Sequence, residues 1–321
     1  MAARVRVLAG VDEAGLGPLL GPLCLGFAAL EIPEGAGPRW ALRRACASKP
    51  STSERRVVVC DSKALHHGTR KLEALERTAL PFLAAARYGR LPRTVGEVLT
   101  AGIARPELLA ELPWYRDLDA PVPVATSRRE IERSTARLCR RLEKAHVAVL
   151  DAGVHVVPEA ELNRLFEKTN NKSVTLFESL TPVLARLRPL ASSRITIVCD
   201  RHGGRASYAP MLAAAFPGGW VSVTRESRDA SLYRIRVDEG TLRVAFAQKG
   251  ESRSFACALG SCLAKYAREL AMERWNAWFS QLAPGVKPTA GYYTDAMRYL
   301  REAEPALAKA GIRRDLLVRS R

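Results

Sequence analysis

The segment most informative about this protein is Val7-Leu-Ala-Gly-Val-Asp-Glu-Ala-Gly-Leu-Gly-Pro18. Its apolar first half predicts a β-strand, which runs directly into the carboxylates of Asp12 and Glu13 and then into the glycine pair Gly15 and Gly17. Acids at a strand end, beside backbone that a ligand can approach closely, are typical of sites for divalent metal ions and phosphates. A plain strand followed by a turn with two solvated acids is the alternative. This segment alone leaves both interpretations open.

Two more acids stand where they could join this pair. The run Arg194-Ile-Thr-Ile-Val-Cys-Asp200 predicts a second buried strand, which again ends in a carboxylate. A long helix predicted over residues 254–282 carries Glu269 among mainly apolar residues. Acids at the ends of neighbouring strands can meet at one edge of a sheet. Taken singly, however, Asp200 could cap a turn and Glu269 could pair with Lys265 on the helix surface.

Together the four acids predict a metal centre. Asp12, Glu13, Asp200 and Glu269 would repel one another strongly in one pocket, so such a cluster normally holds cations. Mg²⁺ suits these ligands because it binds hard oxygen atoms and keeps several water molecules. Two ions about 3.5–4 Å apart would activate a water molecule and stabilise the leaving oxygen of a phosphodiester.

The charge of the chain favours a polyanionic partner. Its 321 residues include 50 basic and 33 acidic side chains, a formal net charge of +17, and 40 of the basic residues are arginine. The planar guanidinium group binds phosphates with two parallel hydrogen bonds, which favours nucleic acid as the partner. The alternative is an arginine-rich composition without a binding role.

Cysteine spacing and hydropathy limit the other classes of protein. The seven cysteines are odd in number and include no Cys-x-x-Cys pair, so we expect reduced thiols in a cytoplasmic protein, with no disulfide framework and no zinc site. The apolar run at residues 16–30 is too short to span a membrane and contains Pro18 and Pro22. We therefore expect no membrane association.

The order of predicted elements indicates an α/β fold. Residues 4–11 and 22–32 predict an early β-hairpin, and later strands alternate with helices. Five prolines interrupt residues 87–125, which we interpret as an inserted segment, either a helical lid or a loosely packed excursion. Residues 254–321 predict a helical carboxyl-terminal part. No linker divides the chain, so we expect a single catalytic domain over residues 1–321.

Five blocks of the chain resemble the type 2 ribonuclease H family (ribonuclease HII and its relatives). They follow the family's order across nearly the whole chain. The blocks are Asp12-Glu-Ala-Gly-Leu-Gly17 with Gly21-Pro22, Asp61-Ser-Lys-Ala-Leu65, Ile195–Asp200, Ala258-Leu-Gly-Ser-Cys-Leu-Ala-Lys-Tyr-Ala-Arg-Glu269 and Gly291-Tyr-Tyr-Thr294. In the family the corresponding first block reads Asp-Glu-Ala-Gly-Arg-Gly, and the last reads Gly-Tyr-Gly-Thr.

This resemblance implies a ribonuclease H-like fold, with a mixed central sheet flanked by helices. It implies hydrolysis of the RNA strand in RNA:DNA hybrids, or at ribonucleotides embedded in duplex DNA, with two Mg²⁺ or Mn²⁺ ions. Separately, we expect a monomer. The four clustered acids would be both catalytic residues and metal ligands. Substrate contacts are implied for Gly15, Leu16, Gly17, Lys63, Tyr292 and Thr294. Among these, the backbone of the glycine-rich turn would read a 2′-hydroxyl, the lysine would contact a phosphate, and the tyrosine would contact a sugar.

The chain also departs from the family's pattern. Leu16 replaces an arginine near the scissile phosphate, Glu269 replaces an aspartate, and Arg201 replaces a glycine. The spacing from Asp200 to Glu269 is longer than in the family. These departures motivate two alternatives: a catalytically weakened nucleic-acid-binding protein, or a related nuclease with another structured substrate.

One hypothesis addresses the lost arginine. His202 and Arg205 follow Asp200 closely, and we expect them to contact phosphate in place of the family's arginine. An exposed glycine-rich turn is the alternative interpretation of the same residues.

Overall fold

The computed structural model describes residues 5–35, 40–51, 54–65, 71–87 and 89–320. Within them the β-strands are β1 (Val5–Ala14), β2 (Leu23–Pro33), β3 (Cys46–Ala47), β4 (Val57–Val58), β5 (Gly102–Ile103), β6 (Ala148–Val157), β7 (Ile195–Asp200), β8 (Trp220–Glu226), β9 (Ala230–Val237) and β10 (Gly240–Ala247). The α-helices are α1 (Trp40–Ala45), α2 (Ser62–Leu65), α3 (Lys71–Ala85), α4 (Val95–Leu99), α5 (Pro106–Ala110), α6 (Arg128–Lys144), α7 (Glu159–Thr169), α8 (Lys172–Leu187), α9 (Ala209–Ala215), α10 (Gly250–Arg253), α11 (Phe255–Leu282), α12 (Tyr293–Lys309) and α13 (Arg314–Leu317).

A mixed sheet of eight strands forms the centre of the molecule. Its strand order is β5-β6-β2-β1-β7-β10-β9-β8. β1 pairs antiparallel with β2 and parallel with β7, which in turn pairs parallel with β10. Helices cover the sheet on both sides, so the predicted α/β fold with a mixed central sheet flanked by helices is confirmed.

Helix α11 lies unusually close to β1 and β2 because small residues meet at the contact. A Cβ atom on Gly10 would lie 2.0 Å from the backbone nitrogen of Cys257, and one on Gly26 would lie 2.1 Å from the carbonyl oxygen of Gly260. No side chain fits in either space. Backbone-to-backbone packing therefore fixes the position of α11 along β1, and with it the position of every α11 side chain that faces the acids.

The predicted amino-terminal hairpin is confirmed, with one difference (residue 4 lies outside the described residues). β1 continues to Ala14, so Asp12 and Glu13 belong to the strand itself and not to the turn after it. The extension exists because the ladder with β2 continues to the pair Ala14 and Cys24.

The described residues of 87–125 contain buried anchors and do not form a loose excursion. This segment contains α4, β5, α5 and a 3₁₀ turn at Pro113–Tyr115. Trp114 is 2% exposed, and its ring centroid lies 5.2 Å from that of Phe279 on α11. This segment therefore supports α11, because burial of these large rings stabilises the contact.

The long spacing between Asp200 and Glu269 has a structural reason. The hairpin of β8 and β9 lies in sequence between β7 and β10, yet β7 and β10 are neighbours in the sheet. The hairpin therefore extends the sheet at its edge without separating these two strands. The alternating residues 220–224 and 232–237 predict β8 and β9, whereas no strand is predicted at the position of β10.

Two further features bear on the expectations above. All seven cysteines lie in the described part of the chain and are free thiols. Among the described helices, none combines the length and the apolar character that crossing a bilayer requires. The carboxyl-terminal part is helical, as predicted, with α11, α12 and α13.

Candidate active site

Asp12 and Asp200 lie side by side on the face of the sheet that α11 covers. The parallel ladder of β1 and β7 pairs Val11 with Cys199, and the two aspartates are the next residues of their strands. An Asp12 carboxylate oxygen accepts a hydrogen bond from the backbone N–H of Glu13, at 2.9 Å. The hydroxyl group of Ser261 on α11 also donates to this carboxylate. Strand register thus brings together two of the predicted acids.

The turn after β10 brings a further acid, Glu251, to the same place. β10 pairs with β7 as far as Ala247 and Asp200, and the backbone N–H of Gly250 donates to Oδ1 of Asp200 at 2.9 Å. A Cβ atom on Gly250 would lie 2.9 Å from the Cys257 sulfur and 3.3 Å from the Asp200 Cα atom. Only glycine lets this turn approach Asp200 so closely. Glu251, the next residue, therefore lies beside the aspartate.

Electrostatic effects show that these acids share one site. Burial raises the pKa of Asp12 well above its ordinary value, and the charges of Glu13 and Asp200 raise it further. Burial and the charge of Asp200 raise the pKa of Glu13 to about 7. Burial, followed by the charges of Asp200 and Asp61, raises the pKa of Glu251. The site therefore holds more negative charge than its own cations neutralise.

The Asp61-Ser62-Lys63 block forms another wall of this site. The hydroxyl groups of Ser62 and Ser261 share a hydrogen bond of 2.9 Å, which connects the block to the serine that holds Asp12. The charge of Lys63 lowers the pKa values of Glu13, Asp200 and Glu251, although burial outweighs it in each case. Because Lys63 is exposed, its ammonium group remains accessible to an incoming phosphate.

The carboxylates are chemically suited to a divalent cation, although they are not arranged as a complete set of metal ligands. Within the described residues, no three His, Cys, Asp or Glu side chains are arranged as a complete metal site. Carboxylate oxygen atoms are the ligands that Mg²⁺ and Mn²⁺ prefer, and a bound cation would relieve the repulsion that raises the pKa values of Asp12 and Glu13. The residues therefore fit such an ion, provided that their side chains close around it.

Two buried arginines, Arg268 and Arg319, support the glycine-rich turn after β1. Gly15 has a φ of +93°, and a Cβ atom there would lie 2.4 Å from Nε of Arg268, so glycine is required. The guanidinium group of Arg319 donates to the carbonyl oxygens of Gly15 and Leu16. The backbone N–H groups of Leu16 and Gly17 donate to no acceptor in the described part of the chain. They remain available to a ligand.

Tyr292 lies next to this turn. The carbonyl oxygen of Gly291 accepts hydrogen bonds from the backbone N–H groups of Leu19, at 2.8 Å, and Leu20, at 3.2 Å. The Tyr292 side chain is 52% exposed, and the guanidinium carbon of Arg268 lies 5.8 Å from its ring centroid. The aromatic surface predicted to contact a sugar is thus accessible. Thr294, two residues further on, is exposed in the first turn of α12.

Glu269, predicted as the fourth acid, lies on α11 near the end of β1, where its charge acts on Cys24, the partner of Ala14. It follows Ser261 by two turns of helix, about 12 Å along the axis. Its carboxylate accepts a hydrogen bond from Lys265 at 2.5 Å, as the helix-surface alternative expected. Glu269 is not among the charges that chiefly shift the pKa values of Asp12, Glu13 and Asp200. Glu251, by contrast, is among the charges that raise the pKa of Glu13.

His202 and Arg205 line a cleft of about 520 Å³ that Leu16 also borders. The His202 side chain is only 5% exposed and lies among the rings of Phe177, Tyr208 and Phe246. Burial lowers its pKa to about 3, so the ring is neutral near pH 7. This environment does not favour a phosphate contact by His202.

Arg205 borders the same cleft, and its Nε donates to the hydroxyl oxygen of Ser173 at 2.8 Å. Its phosphate contact stays a prediction. Arg201, which replaces the family's glycine, is buried, and it donates to the carbonyl oxygens of Ser227 and Arg228. It therefore ties β7 to the turn between β8 and β9.

Sequence reasoning missed several residues that shape this site. A local pattern does indicate Glu251, because its Lys-Gly-Glu turn comes directly after an alternating strand. The turn after Asp200 stands in the same relation to its own strand. Ser261 and Arg268 lie inside a recognised block but were given no role. Arg319 had no local signal, because it reaches the glycine-rich turn from 304 residues away in sequence.

A buried carboxyl group lies behind the glycine-rich turn that follows β1. Its ionisation makes the free energy of unfolding depend on pH. Burial raises the pKa of Glu159 from its ordinary 4.5 to about 7, and its Oε2 atom has no hydrogen-bond partner among the described residues. Because the folded pKa is the higher one, this group's stabilising contribution is complete below pH 4.5 and is lost as the pH rises through 7.

We therefore expect the free energy of unfolding to fall less between pH 5 and pH 8 in Glu159→Gln than in the unaltered protein, by up to about 3 kcal/mol. Denaturant unfolding of the metal-free protein at both pH values measures this difference. Glu304→Gln, at an exposed position, serves as the control and should leave the pH profile unchanged. An unaltered profile for Glu159→Gln would show that this carboxyl group does not titrate in the window.

Comparison with known proteins gives the following. No family model and no curated protein matches the sequence. The structure is similar to the ribonuclease HII of Archaeoglobus fulgidus, solved in complex with PCNA, at 15% identity and a TM-score of 0.43, over 98% of this chain and 94% of that one. It is similar to ribonuclease H2 of Pyrococcus horikoshii OT3, at 16% identity and a TM-score of 0.40, over 97% and 92% of the two chains. A third similar structure is Bst-RNase HIII in complex with Mn²⁺, at 15% identity and a TM-score of 0.36, over 97% and 72%.

Proposed function

We propose that the protein is a metal-dependent endoribonuclease, which hydrolyses the RNA strand of RNA:DNA hybrids or ribonucleotides embedded in duplex DNA. The observation that carries this proposal is the convergence of Asp12, Glu13, Asp200 and Glu251 beside an accessible lysine. The order of motifs shared with the type 2 ribonuclease H family supports the substrate class.

Asp12, Glu13, Asp200 and Glu251 would hold Mg²⁺ or Mn²⁺. When bound, such ions supply a nucleophile at neutral pH and stabilise charge on the leaving oxygen of a phosphodiester. Ser261 fixes the orientation of Asp12, and the N–H of Gly250 fixes that of Asp200. Because backbone and helix positions set both contacts, the two aspartates are organised before any ligand binds.

The substrate would be positioned by three elements around the acids. The exposed ammonium group of Lys63 would bind a phosphate next to the acids. The N–H groups of Leu16 and Gly17 would bind the 2′-hydroxyl, which distinguishes RNA from DNA. The exposed ring of Tyr292 would pack against the adjacent sugar. Together these contacts select a ribonucleotide at the scissile position.

Four labelled duplexes test the proposal: DNA with one embedded ribonucleotide, an RNA:DNA hybrid, all-DNA and all-RNA. We expect Mg²⁺- or Mn²⁺-dependent cleavage of the first two, no cleavage of the last two, and no cleavage in excess chelator. Binding of all four without cutting would support the non-catalytic alternative, which the apolar Leu16 motivates. Equal cutting of the all-DNA duplex would support a nuclease with another substrate.

A further inference from the structure

The half of the sheet formed by β7, β10, β9 and β8 carries arginines that the active site does not use. Cross-strand register places them in two rows on one side of the sheet. The first row is Thr196, Arg243, Arg234 and Ser222, and the second is Thr241, Arg236 and Trp220. These seven residues are called the arginine face below.

The opposite side of the same strands is packed into the core. Ile235, Leu242 and Val244 are at most 1% exposed there, whereas Arg234 and Arg243 are exposed. A sheet with one solvated side needs polar residues on that side, but it does not need arginines. Exposure to solvent alone therefore does not explain why these positions are arginines.

The arrangement of these arginines is electrostatically unfavourable in the protein alone. Arg243 and Arg234 are direct cross-strand partners, and like charges in that relation destabilise a sheet. No ion pair or hydrogen bond joins Arg234, Arg236 or Arg243 to another side chain of the described ranges. Elsewhere on the surface, by contrast, Arg164 and Arg298 hold carboxylates. A bound anion would remove the repulsion.

Trp220 indicates the kind of anion that this face would bind. Its side chain is 71% exposed at the start of the edge strand, whereas Trp114 and Trp275 are at most 2% exposed. It stands directly opposite Arg236. An exposed aromatic ring among arginines is the combination that binds single-stranded nucleic acid, because bases stack on the ring while cations track the phosphates.

The arginine face also lies on the same side of the sheet as the acids. On β7, Thr196 and Asp200 are four residues apart and point to the same side, a separation of about 13 Å. A groove of about 500 Å³ lies at the level of Thr196, bordered by Arg234, Arg236 and Arg243. We propose that the arginine face binds single-stranded nucleic acid, with the arginines on phosphates and Trp220 stacked on a base. This inference does not rest on hydrolysis by the acids.

A substrate without ribonucleotides tests it separately from the proposed activity. Fluorescence anisotropy with a labelled oligodeoxythymidine of about 12 nucleotides measures affinity at several salt concentrations. The double variant Arg234→Ala/Arg243→Ala should bind at least about tenfold more weakly, with the slope of log K against log salt reduced by about 1.4. The matched control is Arg129→Ala/Arg133→Ala on the exposed side of α6, which removes the same charge and should change affinity less than about twofold.

Trp220→Ala separates stacking from charge. It should weaken oligodeoxythymidine binding about tenfold, leave the salt slope unchanged, and leave the affinity for a duplex of equal length unaltered. Equal losses in the arginine variant and its α6 control would overturn the proposal, as would equal losses for single strand and duplex. Size-exclusion chromatography tests the remaining possibility, that a second copy of the chain covers the arginine face. If Trp220→Ala dissociates a dimer and leaves the affinity for the oligonucleotide intact, this face is an interface between two copies and the proposal fails.

Discussion

Replacement of Asp12 by Asn is expected to abolish cleavage of a ribonucleotide-containing duplex while leaving its binding nearly intact. Asp12 is central to the acid cluster, held by the N–H of Glu13 and the hydroxyl of Ser261. The amide lacks the charge that would hold a cation, so several kcal/mol of transition-state stabilisation disappear and the rate falls by at least about 1,000-fold. Affinity survives because contacts between arginines and phosphates dominate it.

The same substitution should change stability in a direction that depends on the cation. Burial and two neighbouring carboxylates raise the pKa of Asp12, so its charged form destabilises the metal-free fold. Without divalent ions, Asp12→Asn should therefore be more stable than the unaltered protein, by on the order of 1 kcal/mol. With saturating Mg²⁺ the order should reverse, because only the unaltered site gains the binding free energy.

Single-turnover cleavage, anisotropy and thermal unfolding with and without Mg²⁺ measure these three quantities. Asp238→Asn makes the same chemical change at a fully exposed position and should alter none of them. Full activity of Asp12→Asn would remove Asp12 from the mechanism. A thermal shift with Mg²⁺ that is equal in both proteins would show that Asp12 does not hold the ion.

The parts of the fold that the sequence predicts are those with strong local periodicity. Alternation and apolar runs located β1, β2 and β7, and the acids at the ends of β1 and β7 therefore came together as expected. The apolar run Arg56–Cys60 has the composition of a buried strand, but only Val57–Val58 is a strand, and it pairs with β3 in a small separate sheet. Periodicity predicts a strand, but it does not tell which strand becomes its neighbour.

The missed parts of the site depend on distant contacts. Glu251 reaches Asp200 because β10 pairs with β7 across the inserted hairpin, and because Gly250 allows close packing. Arg319 reaches Gly15 from the other end of the chain. Register and packing set both contacts, so local sequence does not reveal which residues Glu251 and Arg319 meet. The resemblance to a family suggested Glu269 by its place in a motif, whereas the geometry favours Glu251.

The choice between these two glutamates gives the second large prediction. Glu251→Gln should lower the cleavage rate at least about 100-fold and raise the Mg²⁺ concentration needed for half-maximal rate, because an anionic ligand near Asp200 is lost. Glu269→Gln should lower the rate less than about threefold. Its glutamine can still accept a hydrogen bond from Lys265, so α11 should keep its position.

These two variants are matched in chemistry, and each keeps the size of the side chain. Mg²⁺ titrations of the cleavage rate compare them directly, and thermal unfolding in chelator verifies that both are folded. Relief of repulsion should make Glu251→Gln at least as stable as the unaltered protein in chelator, since the charges of Asp200 and Asp61 raise the pKa of Glu251. Glu269→Gln, which weakens an ion pair, should be slightly less stable, by about 0.3–0.5 kcal/mol.

A large loss of rate in Glu269→Gln together with near-normal Glu251→Gln would restore Glu269 as the fourth acid. Glu269 would then act from the part of α11 beside Cys24, the β2 partner of Ala14, because its charge reaches that cysteine. Glu251 directly follows Gly250, whose N–H donates to Asp200, and its charge already raises the pKa of Glu13. This electrostatic proximity of Glu251 to Glu13 and Asp200 is the physical reason to expect the result in favour of Glu251.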